Sequence, residues 1–430
     1  MVEFSLTAPP DVMPARPRNP DLALSYRAQG CWLGRPLFAF FAETCRRLAE
    51  REALVDADRR FSFAEFHARV RALEAALQRL GVTNGTVVSF QLPNWWETAV
   101  LAWALIGLGA VLNPILPIYR RRELEFILAE AGAEVLIVPG VFRGFDHRAL
   151  ATDLSGKVAS LRHIVVVRDQ PPRGQLALSD LLAEERPRAA TPIAIRGEDV
   201  ALLMYTSGTT ADPKGVLHTH DALVYELRSL GRVHALGERD TVLMPSPLTH
   251  ISGLLHGILL PFVLGTRAVL MEAWDAGLAL DTITRESVTY MVGAPIFLSE
   301  LTFHPELADR PTRSLRLFSC GGAGVSPDLI VESRRRLGCV SKRVYGSTEF
   351  PTLTTTGVED PPERGASTEG RAIWAAEVVI ADDEGKRLPH GTEGEIHARG
   401  PECFIGYRDS ALDRDAFTPD GWFRTGDLGV

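Results

Sequence analysis

Tyr205-Thr206-Ser207-Gly208-Thr209-Thr210-Ala211-Asp212-Pro213-Lys214-Gly215-Val216 follows directly on the apolar run Val200 to Tyr205. The run has the length and β-branched, aliphatic make-up of a buried strand, so the hydroxyl-rich stretch is the loop at its end. Four hydroxyls, two glycines and a lysine in one loop offer side-chain and backbone donors to phosphate oxygens, and glycine lets the backbone come close. The spacing is not G-x-x-x-x-G-K-[ST], because Lys214 precedes its glycine, which disfavours a P-loop NTPase. A surface turn of small residues is the bland alternative, but turns rarely combine this many hydroxyls with Pro-Lys-Gly behind a strand.

Working outward, the chain alternates strand and helix patterns on both sides of that loop. Ser62 and Glu65 form a capping box ahead of Phe66, Val70, Leu73, Leu77 and Leu80 at helical spacing, with Gly81 as the stop. A strand over Thr86 to Leu92, a helix opened by Asn94 and Glu97, a further short strand, a helix over Glu123 to Ala131 and a strand over Val135 to Val138 give a βαβαβ order, hence a parallel sheet. Gln170 to Arg196 reads as a surface connection with a boundary near Pro192. Strands near Thr241 to Met244, Val288 to Val292 and Leu315 to Ser319 continue the alternation. Beyond Glu349 come short β-prone pieces, Glu377 to Ile380 and Glu395 to Ala398. The expected fold is α/β: two βαβ-type layered subdomains, residues 1–192 with a loose leader and 193–349 with the phosphate loop. A small β-barrel-like subdomain over 350–430 completes it.

With 430 residues, 46% hydrophobic and 23% charged, the chain is a multi-part globular protein. Its formal charge of −8 leaves no basic face for nucleic acid. Five scattered cysteines without C-x-x-C spacing fit neither a disulfide framework nor a zinc site, so a reducing cytoplasm is expected. Ala99 to Leu112 and Ile251 to Gly265 are too short for a bilayer and read as buried helices, so no membrane span is expected.

Two further stretches carry chemistry. Tyr345-Gly346-Ser347-Thr348-Glu349 offers a ring to stack on a base, a hydroxyl for a phosphate and a carboxylate for Mg²⁺. In Gly421-Trp422-Phe423-Arg424-Thr425-Gly426-Asp427-Leu428-Gly429, an aspartate held in a tight turn between glycines can accept from two ribose hydroxyls.

The three stretches, in this order, resemble the N-terminal part of the adenylate-forming superfamily: acyl- and aryl-CoA synthetases, luciferases and peptide-synthetase adenylation domains. The pattern is nearest to acyl-CoA synthetases of the cyclohexanecarboxylate-CoA ligase kind. The resemblance implies that Thr206, Ser207, Gly208, Thr209, Thr210 and Lys214 surround the β- and γ-phosphates of ATP. It likewise puts Thr348 on the α-phosphate, Glu349 on Mg²⁺, Tyr345 and Gly346 beside adenine, and Asp427 on the ribose. Gly321, Gly322 and Ala323 would form the opposite wall, His250 would border the acid's carboxylate, and Val292, Gly293 and Ala294 would line the acyl pocket. Lys214, Thr348, Glu349 and His250 are the catalytic candidates. A lone histidine beside an apolar helix is more often a packing residue, and His250 is singled out by its place after Pro247-Leu248-Thr249.

The implied activity is ATP-dependent conversion of an apolar carboxylic acid (medium-chain, alicyclic or aryl) to an acyl-adenylate, then to a thioester with CoA. Rival readings are adenylation of an acyl or amino acid for a carrier-protein thiol, and a non-catalytic protein that binds ATP or acyl-adenylate. Against an amino acid, Pro245 to Gly253 holds no acidic residue to pair an α-ammonium. The family's small C-terminal domain, with the lysine that bridges carboxylate and α-phosphate, would lie beyond Val430. These 430 residues alone are therefore expected to bind ATP and acyl-adenylate, to form acyl-adenylate feebly if at all and to make almost no thioester. Two departures stand out: Ala211 where the family usually has glycine, and Gly370 to Glu377 without the usual prolines.

Overall fold

The Ser62 and Glu65 spacing acts as its capping box suggests. In the computed structural model, which describes residues 19–183, 191–206 and 213–430, Ser62 caps the helix Phe63–Arg79. Its Oγ accepts from Glu65 N at 3.2 Å and Glu65 Oε2 accepts from Ser62 N at 2.9 Å. Phe66, Val70, Leu73 and Leu77 are buried on one face.

Among the described residues two large sheets form. The eight-stranded sheet runs, from one edge to the other, Gly406–Tyr407, Lys214–Thr219, Val200–Thr206, Val111–Pro114, Val87–Phe90, Val135–Pro139, His163–Val167 and Leu176–Ala177. The nine-stranded sheet runs Arg371–Ala372, Thr354–Thr355, Val340–Tyr345, Leu317–Gly321, Tyr290–Gly293, Thr241–Met244, Arg267–Leu270, Glu52–Asp56 and Arg59–Ser62. Their central strands, Val111–Pro114, Val87–Phe90 and Val135–Pro139 in the one and Tyr290–Gly293 and Thr241–Met244 in the other, are parallel and buried along their length, as strands covered by helices on both faces must be. The strand Val200–Thr206, expected near Val200 to Tyr205 as the opening of the second α/β unit, joins the first sheet instead through parallel pairing of Leu202 with Leu112, and brings with it the antiparallel strand Lys214–Thr219. Glu52–Asp56, far upstream, joins the second sheet beside Arg267–Leu270.

The expected barrel-like closure does not form. Glu377–Ala381 and Phe423–Gly429 flank the central Gly394–Arg399 without pairing with each other, which leaves an open three-stranded sheet. The loop lacking its prolines keeps a defined path. Gly370, at φ +85°, lies against the Thr355 backbone where a Cβ would come within 2.1 Å. Trp374 stacks on Tyr225 with ring centroids 4.7 Å apart.

Both apolar segments lie inside the protein. The helix Trp96–Gly107 is buried almost throughout, and Ile251 onward forms a short α-helical turn followed by a π-helical segment, Leu254–Leu259. Among the described residues no helix is long and apolar enough to cross a membrane.

Asn94 does not cap the helix Trp96–Gly107. The free Trp96 N donates instead to Asp56 Oδ2, 3.0 Å away on the other sheet, because Asn94 stands too far upstream of the first turn. The buried Asn94 amide is left to bridge the sheets: Nδ2 donates to the carbonyls of Ser246 (2.9 Å) and Met271 (3.0 Å), and Oδ1 accepts from Leu248 N (2.8 Å). It thereby holds the turn that leads to His250. Asn94→Leu would strand three buried backbone groups at a cost of about 3 kcal/mol. We expect a clearly lower urea midpoint, read by circular dichroism, with the helix content of the folded baseline unchanged.

Candidate functional site

Parallel strands deliver their following loops to one edge, and the loops of both sheets meet around a cavity of about 740 Å³. From the eight-stranded sheet, Thr206 and Lys214 line it, at the two ends of the phosphate loop. From the nine-stranded sheet come Val292, Gly293 and Ala294, then Gly321 and Gly322, then Gly346, Thr348 and Glu349. His250 and Asp427 complete this group. Ser207, Gly208, Thr209 and Thr210 lie outside the described residues. Ala323 is exposed and, unlike Gly321 and Gly322, does not line the cavity. Tyr345 meets the site through Asp427, its Oη donating to Oδ2 at 2.7 Å.

Asp427 lies in the strand Phe423–Gly429 rather than in a tight turn. A register irregularity opposite, between Glu395 and His397, lets Gly426 N donate to the Glu395 carboxylate (3.0 Å) and Thr425 Oγ1 to the Ile396 carbonyl (2.7 Å). The aspartate is thus presented from a held strand, exposed at the cavity mouth. Gly346 is required by close approach: a Cβ there would meet the Pro351 carbonyl oxygen at 2.2 Å.

Two residues that sequence reading passed over tie the two loop systems together. Lys214, Val216 and His218 alternate onto one face of their strand. From that face the buried His218 Nε2 donates to the Thr348 carbonyl at 2.7 Å. Tyr407, opposite Val216 in the neighbouring strand, donates from Oη to Glu349 Oε1 at 2.9 Å. Its ring centroid is 5.4 Å from Lys214 Nζ, within reach of a cation–π contact. The period-two pattern from Lys214 could have revealed His218. Nothing local marks Tyr407, whose strand is two residues long and pairs across almost 200 positions.

Neither Lys214 nor Glu349 has an ion-pair partner among the described residues. Glu349 Oε2 therefore remains free to accept a hard cation, and a single carboxylate beside phosphates suits Mg²⁺, which keeps several waters. His250 caps the short helix after it, its Nδ1 accepting from Ser252 N at 3.4 Å and lying 2.9 Å from Ser252 Oγ. Its surface opens to the cavity, yet the surrounding protein desolvates the ring and lowers its pKa.

A family model described as AMP-binding enzyme matches residues 41–408. The chain belongs to the AMP-binding enzyme family. This AMP-binding enzyme is 32% identical over 413 residues to a medium-chain fatty-acid–CoA ligase of Escherichia coli (strain K12), covering 95% of this chain and 73% of that one. It is 36% identical over 420 residues to a 2-hydroxy-7-methoxy-5-methyl-1-naphthoate–CoA ligase of Streptomyces carzinostaticus, covering 95% and 75%. Among solved structures it is similar to the apo structure of Mycobacterium smegmatis MbtA, with a TM-score of 0.88 and 29% identity over 96% of this chain and 76% of that one. Layered α/β sheets of this arrangement are thus the family's N-terminal architecture.

Burial holds His218 neutral by pushing its pKa down to about 4, and its Nδ1 is enclosed without a partner among the described residues. His220, equally enclosed, is also lowered to about 4. With folded pKa values below the ordinary 6.5, the unfolded chain binds more protons between about 6.5 and about 4. Stability from these groups is therefore full above the upper value and declines as pH falls through the window. Urea midpoints should drop between pH 7 and pH 4.5. His218→Gln, which keeps a donor for the Thr348 carbonyl but does not titrate, should flatten that decline.

Proposed function

We propose that this enzyme activates a largely apolar carboxylic acid with ATP and passes the acyl group to the thiol of CoA. In the first step a carboxylate oxygen attacks the α-phosphorus, forming the acyl-phosphate bond and releasing pyrophosphate. In the second a thiolate sulfur attacks the acyl carbon and AMP leaves. The observation that carries this reading is that one cavity is lined both by a nucleotide-type set, Lys214, Thr348, Glu349 and Asp427, and by an acyl-type wall, Ile251, Leu255, Val292 and Phe297. No carboxylate other than Glu349 and Asp427 lines it among the described residues, which leaves an amino acid's ammonium without a partner at the acyl end.

Lys214, held beside the Tyr407 ring, would pair with the β- and γ-phosphates, and Thr348 would donate to an α-phosphate oxygen. Glu349, oriented by Tyr407, would hold Mg²⁺, which supplies charge neutralisation of the phosphates when bound. Asp427 and Tyr345, already hydrogen-bonded, would meet the ribose and adenine. His250, neutral beside the acyl wall, would border the acid's carboxylate without competing for Mg²⁺. These contributions are alignment and preorganised charge, with no covalent enzyme intermediate.

Glu349→Gln keeps an oxygen but loses the charge, so Mg·ATP affinity should fall about tenfold or more by calorimetry, about 1.4 kcal/mol. Asp427→Ala should weaken ATP and AMP alike, by roughly 10- to 100-fold for a charge-assisted contact, and leave pyrophosphate affinity unaltered. Equal losses for all three ligands would refute the ribose role, and wild-type Mg·ATP affinity in Glu349→Gln would refute the metal role.

A further inference from the structure

Beyond the apolar wall, the same cavity reaches a group of polar side chains that neither ATP nor a carboxylate would use. Residues alternate along a strand, so Tyr290 and Val292 share one face, as do Ser319 and Gly321, and all four line the cavity. Tyr290 lies three residues before Gly293, roughly 10 Å deeper at about 3.3 Å per residue. His256, on the π-helical segment Leu254–Leu259, and His234, at the end of the helix His220–Val233, close over it. Their ring centroids lie 5.7 Å and 5.6 Å from that of Tyr290.

These four groups form a loose chain. Tyr290 Oη is 3.3 Å from His256 Nδ1, and Ser319 Oγ is 3.5 Å from His234 Nε2. Both separations exceed the usual 2.7–3.0 Å, and Ser319 also interacts with the Tyr290 hydroxyl, so the two hydroxyls share loose contacts with each other and with the two imidazoles. His234 Nδ1 is enclosed with no partner among the described residues. The chain is also uncharged: burial holds His256 at about 3 and His234 well below its ordinary value. Glu226, fully buried nearby, is pushed up to about 8 by desolvation and is neutral at pH 7. An alkyl end here would leave these groups only their loose mutual contacts, whereas a charged end would have to be desolvated among side chains that are themselves uncharged at pH 7.

We propose that the acid carries a hydroxyl at its end remote from the carboxylate, read by Tyr290 and His256. A hydroxyl donates and accepts at once, as a neutral tyrosine–histidine pair does. Sites built to hydrogen-bond a substrate group reject the analogue that lacks it far more strongly than apolar pockets reject an added group. This rests on the acid-adenylation reading, which the test separates from it.

The probes are non-hydrolysable acyl-sulfamoyl adenosines of six, eight and ten carbons, each with a terminal hydroxyl or a methyl in its place, titrated calorimetrically into the 430-residue chain. At one length or more the hydroxyl member should bind about tenfold tighter or better. Tyr290→Phe should bring that ratio close to one without weakening the methyl member. His256→Leu, checked for folding by its melting curve, should do the same. Equal or tighter binding of the methyl member at every length, or a ratio that survives both variants, overturns the proposal while leaving acid adenylation standing. Failure of both members to bind at any length overturns the adenylation reading and this proposal together.

Discussion

The hydrogen bond from His218 to the Thr348 carbonyl joins the two sheets at the point where their loops must act together. His218 belongs to the strand that leaves the phosphate loop, and Thr348 to the loop that follows Val340–Tyr345 in the other sheet. A carbonyl pinned from outside its own sheet fixes the backbone of Thr348 and with it the direction of Glu349. Tyr407 then fixes the Glu349 carboxylate itself, from a strand that also borders the lysine. A neutral imidazole suits this place because a charged one could not be solvated there. Asn94 performs the same service one layer away, where its amide ties the turn before His250 to the first sheet.

How much of this was legible follows from the range over which each feature is decided. The capping box at Ser62 and Glu65 is local, and its helix lies where the spacing puts it. The strand Thr241–Met244 lies where its pattern ends, and Val200–Thr206 extends its own by one residue, because an apolar run bounded by polar loops leaves little choice. The membership of that second strand was not legible. Pairing of Leu202 with Leu112 depends on what lies beside it in space, and the order of strands along the chain suggested the wrong sheet. Asn94 has the residue type of a cap, but the competing carboxylate of Asp56 arrives from 40 residues away and takes the helix terminus.

The site shows the same division. Motif residues near one another in sequence were readable, and Lys214, Glu349 and Asp427 do line one cavity. Asp427 was read as part of a turn because glycines flank it, whereas its pairing with Gly394–Arg399 and the irregularity there make it part of a strand. The polar chain under the acyl wall was invisible for a different reason. His234, His256, Tyr290 and Ser319 are spread over 86 positions on four elements, and each alone looks like an ordinary core residue.

The order in which the chain visits its sheets constrains more than the site. It lays down Glu52–Ser62 for the nine-stranded sheet, leaves to build most of the eight-stranded one, returns for the strands from Thr241 to Ala372, and crosses once more to add Gly406–Tyr407. No single backbone cut therefore parts the two sheets onto separate fragments. Each sheet must wait for contacts between residues close to two hundred positions apart, so the molecule has high contact order and a correspondingly slow search for its native pairing. Nicking by a protease should release no autonomous half, and grafting of one sheet from a relative would have to carry segments from both ends of the exchange.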